Sequence, residues 1–295
     1  MKIANVSWGW TPVPEDTPSG DSLIKINDQI RSIGFEAVDY LATPEGLDEF
    51  FTEQNARALG EHACSIGLEP NVMVYQSADW NSPSKEVRER NMRYFEQCAH
   101  VAKWIGCKII STLVPLPQGA TMWKFNPAAP ALKQGFHMPK DYDYQADWAL
   151  LVGEYKNALQ IAKAMGLRMS IECFVLSMIS TPHAMLKVLE DVGDDNFGIQ
   201  LDTNHLIDQH IDPEWTIHML GGKRIFNVHF KDNDAVSKGN LPAGCGITDY
   251  TAVIEALLNV GYQGNISVEL EFTDNPRRYN RQAHDHIRLC LDGEY

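Results

Sequence analysis

The sequence predicts an α/β protein, a single (β/α)8 TIM barrel with a long loop after its fourth strand. Three observations predict it. Short apolar runs alternate with longer amphipathic segments from end to end, eight of each, with no break in composition. The runs are rich in β-branched residues, as in IISTLV and GNISVELEF, the pattern of parallel strands buried on both faces. The first run leads into WGWTPVPED, which is not the glycine-rich phosphate loop of an open doubly wound sheet.

The expected strands are Lys2–Trp8, Glu36–Leu41, Leu68–Val74, Lys108–Val114, Arg168–Cys173, Phe197–Asp202, Ile225–Phe230 and Asn265–Glu271. The expected helices between them are Asp21–Ile33, Gly46–Ile66, Lys85–Ile105, Tyr144–Met165, Thr181–Val192, Asp212–Leu220, Asp249–Val260 and Arg278–Leu291. Gly34, Gly67, Gly106, Gly166, Gly193 and Gly261 each fall where a helix would stop. Thr181-Pro182 and Asp212-Pro213 read as an N-cap followed by proline at the first helical position. The whole chain, residues 1–295, is expected to form this one domain.

Pro115–Asp143 interrupts the rhythm. It is rich in proline, aromatic and polar residues and holds Trp123, Phe125, Lys133, Phe136, His137 and Tyr142. A long connection after a strand lies on the face where barrels carry their active sites. The segment reads as a lid or specificity loop; packing on itself or on a neighbouring subunit is the other reading.

Charge and cysteine use narrow the function classes. With 25 Lys+Arg against 39 Asp+Glu, the net charge is −14, which repels polyanions and disfavours nucleic acid or an anionic membrane as a general partner. No apolar run approaches 18 residues and MKIANVSWGW has no signal-peptide core, so a cytoplasmic protein is expected. Cys64, Cys98, Cys107, Cys173, Cys245 and Cys290 are scattered with no C-x-x-C pair, which suits reduced, mostly buried thiols. A homo-oligomer is expected, with a hetero-oligomer as the alternative.

The chemistry lies at the strand ends. Glu172 closes RMSIE, Asp202 closes FGIQLD, His229 closes IFNVH and Glu269 closes NISVE, at spacings of 30, 27 and 40 residues. One βα unit is about 30 residues long, so one such side chain recurs per unit and all four can converge at the barrel mouth. A carboxylate ending an apolar strand is costly unless compensated. Three of them with one imidazole call for a shared counter-charge, which a divalent cation supplies; a network of carboxylates and basic groups without metal is the other reading. Oxygen-rich ligation points to Mn2+, with Mg2+ or Co2+ as alternatives, rather than to a thiolate zinc site. Cys173 adjoins Glu172, but strand alternation turns it to the other face. Carboxylates flanking a chelated hydroxycarbonyl make proton abstraction next to the carbonyl feasible, through an enediolate. Glu172 and Glu269, on non-adjacent strands, can sit on opposite faces of a substrate, one removing the proton and the other returning it.

At these residues the chain resembles the sugar phosphate isomerase/epimerase family, the xylose-isomerase-like barrels, over essentially its whole length. SIECF resembles the family's strand-5 glutamate, LDTNH its D-x-x-H, VHFKD its H-x-K-D, GCGITDY its G-x-G-x-x-D turn and GYQGNISVELE its final strand. The resemblance implies Glu172, Asp202, His229 and Glu269 as metal ligands, Glu172 and Glu269 as the acid/base pair, and His205 as a contact to substrate oxygen. It implies a metal-dependent isomerase or epimerase of a small carbohydrate. The alternative is a lyase using the same proton abstraction, acting on a keto-inositol or as a subunit cleaving 3-oxo-C-glycosides. Met178 and Ala235 stand where ketose 3-epimerases carry a glutamate and an arginine. A nuclease of the same fold would need more histidine ligands and a basic face. A non-catalytic subunit would not need to keep all four ligands.

Other residues carry two readings each. Lys231 is a substrate contact or the partner of a neighbouring carboxylate. Trp8 and Trp10 are sugar platforms or packing groups, and His137 is a lid residue that meets substrate or a solvated one. Asp232 and Glu271 are candidates for orienting the ligands. His62, His100, His218, His284 and His286 fall in helical patterns and are expected to pack or face solvent.

Overall fold

The computed structural model describes residues 1–10, 20–122, 135–235, 240–271 and 273–294. Eight strands form a closed, all-parallel barrel: β1 (Ile3–Val6), β2 (Ala37–Ala42), β3 (Glu69–Tyr75), β4 (Ile109–Leu113), β7 (Arg168–Glu172), β8 (Phe197–Asp202), β9 (Ile225–Phe230) and β10 (Ile266–Val268). Between β4 and β7, the two-residue strands β5 (Thr121–Met122) and β6 (Phe136–His137) pair antiparallel. Neighbours pair in chain order and β10 closes on β1, with Ile3 opposite Ile266.

Helices cover the outside: α1 (Gly20–Ile33), α2 (Pro44–Glu49), α3 (Glu53–Ser65), α4 (Lys85–Ile105), α5 (Tyr144–Ala164), α6 (Pro182–Val192), α7 (Thr203–Ile207), α8 (Pro213–Leu220), α9 (Tyr250–Asn259) and α10 (Pro276–Asp292). Their ends obey the expected local chemistry. Thr181 Oγ1 accepts from Ala184 N and an Asp212 carboxylate oxygen from Trp215 N. Gly106, at φ 98°, ends α4 in a left-handed conformation that a side chain would resist.

The expected helix Gly46–Ile66 is two helices. Thr43 caps α2, and Thr52 caps α3 by accepting from Asn55 N at 3.2 Å. Phe50 leaves helical geometry between them and Phe51 turns into the core. The apolar period runs through this corner because Leu47, Phe51, Ala56 and Leu59 are all buried, so periodicity alone does not reveal the break.

The main core lies between strands and helices, while Val72, Val74, Ile109 and Phe226 form a smaller cluster of their own. Two irregularities in register shape what surrounds that cluster. Val38 pairs with Pro70 and Tyr40 with Met73, so Asp39 faces two residues, Asn71 and Val72. Ile199 pairs with Ile225 and Gln200 with Asn227, so β9 carries one extra residue, Phe226. The bulges bring buried Asp39, Asn71 and Asn227 into one hydrogen-bonded group. Asn71 Nδ2 donates to Asp39 Oδ1 at 2.7 Å and Asn227 Nδ2 to Asp39 Oδ2 at 3.2 Å.

The long connection is pinned at both ends by buried Asp147 of α5. Its carboxylate accepts from Gln118 N at 2.7 Å, from the Tyr142 hydroxyl at 3.0 Å and from Asn81 Nδ2 at 3.0 Å. Trp123, Phe125 and Lys133 lie outside the described residues.

Candidate metal centre

Glu172 ends β7 and Asp202 ends β8, while His229 is the fifth residue of β9. Glu269 follows β10 directly, and its N–H bonds Phe230 O at 3.2 Å. All four are buried. Each offers one ligand atom, and those atoms lie within 4.8 Å of one another.

Three side chains, His229, Lys231 and Trp8, tie the group together. His229 Nδ1 is 3.0 Å from Glu269 Oε2 and 3.3 Å from Glu172 Oε1. Lys231 Nζ is 3.1 Å from Glu269 Oε2, 3.4 Å from Asp202 Oδ2 and 3.8 Å from Glu271 Oε2. Trp8 Nε1 donates to Glu269 Oε1 at 3.1 Å. Asp202 Oδ1 caps α7 by accepting from Asn204 N at 2.7 Å, which aims the side chain, yet its Oδ2 is buried and makes no hydrogen bond among the described residues.

The charges respond to this crowding. Burial pushes the Glu269 carboxyl up, but Lys231 and His229 beside it outweigh that and hold it well below the usual carboxylate range. Asp202, fully enclosed, is pushed up to about 6, with Lys231 opposing the burial. For His229 burial opposes the charged form, but Glu269 and Glu172 overcome it and raise the imidazole well above its ordinary value. Lys231 is likewise raised well above the usual ammonium value against the cost of burial, chiefly by Glu269 and Asp202.

These residues fit a divalent ion. Three carboxylates and one imidazole are a hard, oxygen-rich donor set, and one buried carboxylate oxygen, Asp202 Oδ2, makes no hydrogen bond among the described residues and is faced by Lys231 at 3.4 Å and His205 at 3.7 Å. Cys173 is turned into the layer under the helices, as alternation requires.

The remaining candidates divide. Lys231 forms the ion pairs just described, and Trp8 reaches the cluster through Glu269. His205, on α7, is mostly buried; burial, reinforced by Lys231, pushes its imidazole down to about 4, and its Nδ1 has no hydrogen-bond partner among the described residues. His137 is exposed on β6 and is not among the gathered ligand atoms. Trp10 is a packing group, buried and donating to Asn5 Oδ1 at 2.6 Å. The Asp232 carboxylate accepts from Gly244 N, Gly246 N, Thr248 N and Thr248 Oγ1 and so shapes the GCGIT turn, with no hydrogen bond to Glu172, Asp202, His229 or Glu269 among the described residues. Glu271 meets Lys231 and is pushed up to about 7 by burial. Met178 is buried, with Asn81 Nδ2 donating to its sulfur at 3.5 Å.

Sequence reasoning missed Asp39. It is fully buried, and its Oδ2 lies 3.3 Å from His229 Nε2, behind the imidazole as seen from the glutamates. The available signal was the one used for the ligands, an acid within an apolar run, EAVDYLA. A carboxylate behind a ligating imidazole fixes its orientation and basicity.

Residues 28–290 match the family model described as xylose isomerase-like TIM barrel. The L-ribulose 3-epimerase of Mesorhizobium japonicum is 23% identical over 243 residues, covering 81% of this chain and 72% of that protein. Among solved structures, D-psicose 3-epimerase from Clostridium cellulolyticum H10 aligns with a TM-score of 0.77 at 16% identity, covering 99% of each chain. The 3-keto-D-glucoside 4-epimerase from E. coli aligns with a TM-score of 0.77 at 18% identity, covering 98% of this chain and 100% of the other.

Proposed function

The chain belongs to the xylose isomerase-like TIM barrel family, and from that premise we propose that it is a divalent-metal-dependent isomerase or epimerase of a sugar or related polyhydroxy carbonyl compound. The observation that carries this reading is the buried convergence of Glu172, Asp202, His229 and Glu269. The four would hold the ion, Mn2+ in first place. When bound, that dication supplies a Lewis acid for the substrate carbonyl.

The chain's own residues do the proton chemistry. Glu172 and Glu269 remove and return the proton next to the carbonyl. Glu269 is held as a carboxylate by Trp8 on one oxygen and by His229 and Lys231 on the other, so its direction is set before substrate arrives. Glu172 Oε1 lies 3.3 Å from His229 Nδ1, so the two stand where one ion could be shared between them. Neutral His205 offers an unsatisfied ring nitrogen to a substrate hydroxyl. Lys231, beside Glu269 and Asp202, is a further contact for a substrate oxygen. Trp8 and His137 are the further proposed substrate contacts. The relatives named above are epimerases, which puts isomerisation ahead of elimination as the outcome of the shared first step.

The test is incubation of Mn2+-loaded protein with ketoses, 3-oxo-glycosides and inososes in D2O, followed by NMR. Deuterium entering with inverted configuration is expected. A new double bond or a released aglycone would assign a lyase instead, and no exchange with any compound would end the proposal. Replacing Glu172 or Glu269 with glutamine is expected to lower turnover by at least 100-fold, the lower end of general-acid/base contributions of about 10²–10⁴, with metal binding partly kept. Full activity in either variant would remove the assigned roles.

A further inference from the structure

The metal ligands already have a cation among them. Lys231 is buried, and its ammonium lies within 3.4 Å of oxygens on two proposed ligands, Glu269 and Asp202. We propose that Lys231 is a built-in counter-cation which holds these carboxylates together when the metal is absent and competes with the dication for them, thereby setting metal affinity. This rests on the metal reading given above.

The geometry makes the competition unavoidable. Of the oxygens that face Lys231 Nζ, Glu269 Oε2 also faces His229 Nδ1, while Asp202 belongs to the same gathered group of possible ligands. A dication bonds carboxylate oxygens at about 2.1 Å, so one bonded to Glu269 Oε2 lies no more than about 5 Å from the ammonium where it now stands. Two cations at that separation repel in a site with little water to screen them. Without either cation, three carboxylates would face one another with only His229 between them. The position of Lys231, two residues past His229 on the same strand direction, brings its stem up the same side of the barrel. Glu271 completes the arrangement from the rim, 3.8 Å from Nζ.

Glu172, Asp202 and Glu269 bring three negative charges, and a dication leaves one over. With Lys231 replaced by a neutral residue, the dication meets these carboxylates, and Glu271 at the rim, with no ammonium beside it. Lys231 is the ammonium that faces Glu269 and Asp202, and the His229 ring faces Glu269 and Glu172.

The test compares Mn2+ binding by isothermal titration at pH 8 in the full-length wild type, K231M, K231Q and K231R, with melting temperatures measured in chelator and in saturating Mn2+. K231M and K231Q are expected to bind Mn2+ at least tenfold more tightly than wild type. They are also expected to melt lower than wild type in chelator and to recover in Mn2+. K231R keeps the charge and is expected to bind no more tightly than wild type. Unchanged or weaker binding in both K231M and K231Q overturns the inference. A K231M protein that fails to fold even in saturating Mn2+ overturns it too, because the dication should replace the ammonium. Wild type that binds no Mn2+ at all would instead mean that the metal reading itself is wrong.

Discussion

Asp39 allows stability and metal affinity to be separated at one buried atom. Its carboxylate accepts from Asn71 Nδ2 at 2.7 Å, Val72 N at 3.2 Å and Asn227 Nδ2 at 3.2 Å, and faces His229 Nε2 at 3.3 Å. Alanine removes the acceptor for all three donors, which at 1.5–3 kcal/mol for each bond to a charged group, less the relief of no longer burying a carboxylate, costs about 3–5 kcal/mol. Asparagine keeps Oδ1 for Asn71 and Val72, and Asn227 can turn its amide to suit, so it costs about 1–2 kcal/mol. Its effect on the metal is larger. The amide that replaces Oδ2 donates toward His229 Nε2, favouring the imidazole with its proton on Nδ1, the nitrogen that faces Glu269 and Glu172. Loss of an outer partner of a ligating histidine weakens binding by about 10–100-fold. Urea unfolding in chelator reads the first quantity and Mn2+ titration calorimetry the second. If D39N binds Mn2+ as tightly as wild type, or if D39A is no less stable than D39N, Asp39 does not hold the imidazole and the outer-partner account is wrong.

Two further outcomes follow from burial. His205 has an imidazole pushed down to about 4 by burial against an ordinary 6.5, so the unfolded chain binds more protons between those values. Its contribution is therefore complete above pH 6.5 and lost as pH falls toward 4, a decline of up to about 3 kcal/mol that should be shallower in H205Q when metal-free protein is unfolded in urea across that range. Thiol labelling of native protein should reach Cys64 and Cys245, which are exposed, and spare Cys98, Cys107, Cys173 and Cys290, which are buried. Cys245 should react more slowly at neutral pH than after the pH is raised, because burial and the nearby Asp232 push its thiol up. Rapid labelling of all six cysteines by mass spectrometry would contradict the packing described.

Local chemistry is legible along most of this chain because it acts between near neighbours. Helix stops such as Gly106 and Gly193 and caps such as Thr181 and Asp212 satisfy the backbone within a turn, so residue type alone declares them. The break at Phe50–Thr52 escaped for the complementary reason: its apolar residues keep helical spacing on both sides, and only their packing shows the corner.

The sequence by itself determined the alternation of strands and helices, hence the barrel, and the recurrence of Glu172, Asp202, His229 and Glu269 at strand ends. One side chain per βα unit converges in any closed barrel, so that convergence is already implied by spacing. Tertiary structure alone decided what surrounds them. Asp39 of β2 faces two residues of β3 across a bulge and stands behind His229 of a strand that does not pair with its own, and register is a property of paired strands rather than of either segment. Lys231 chose carboxylates, Asp232 the Gly244–Thr248 turn, and Trp8 an oxygen of Glu269, each across tens to hundreds of residues of chain. Such choices depend on distances in space, which residue types and spacings along one chain do not contain.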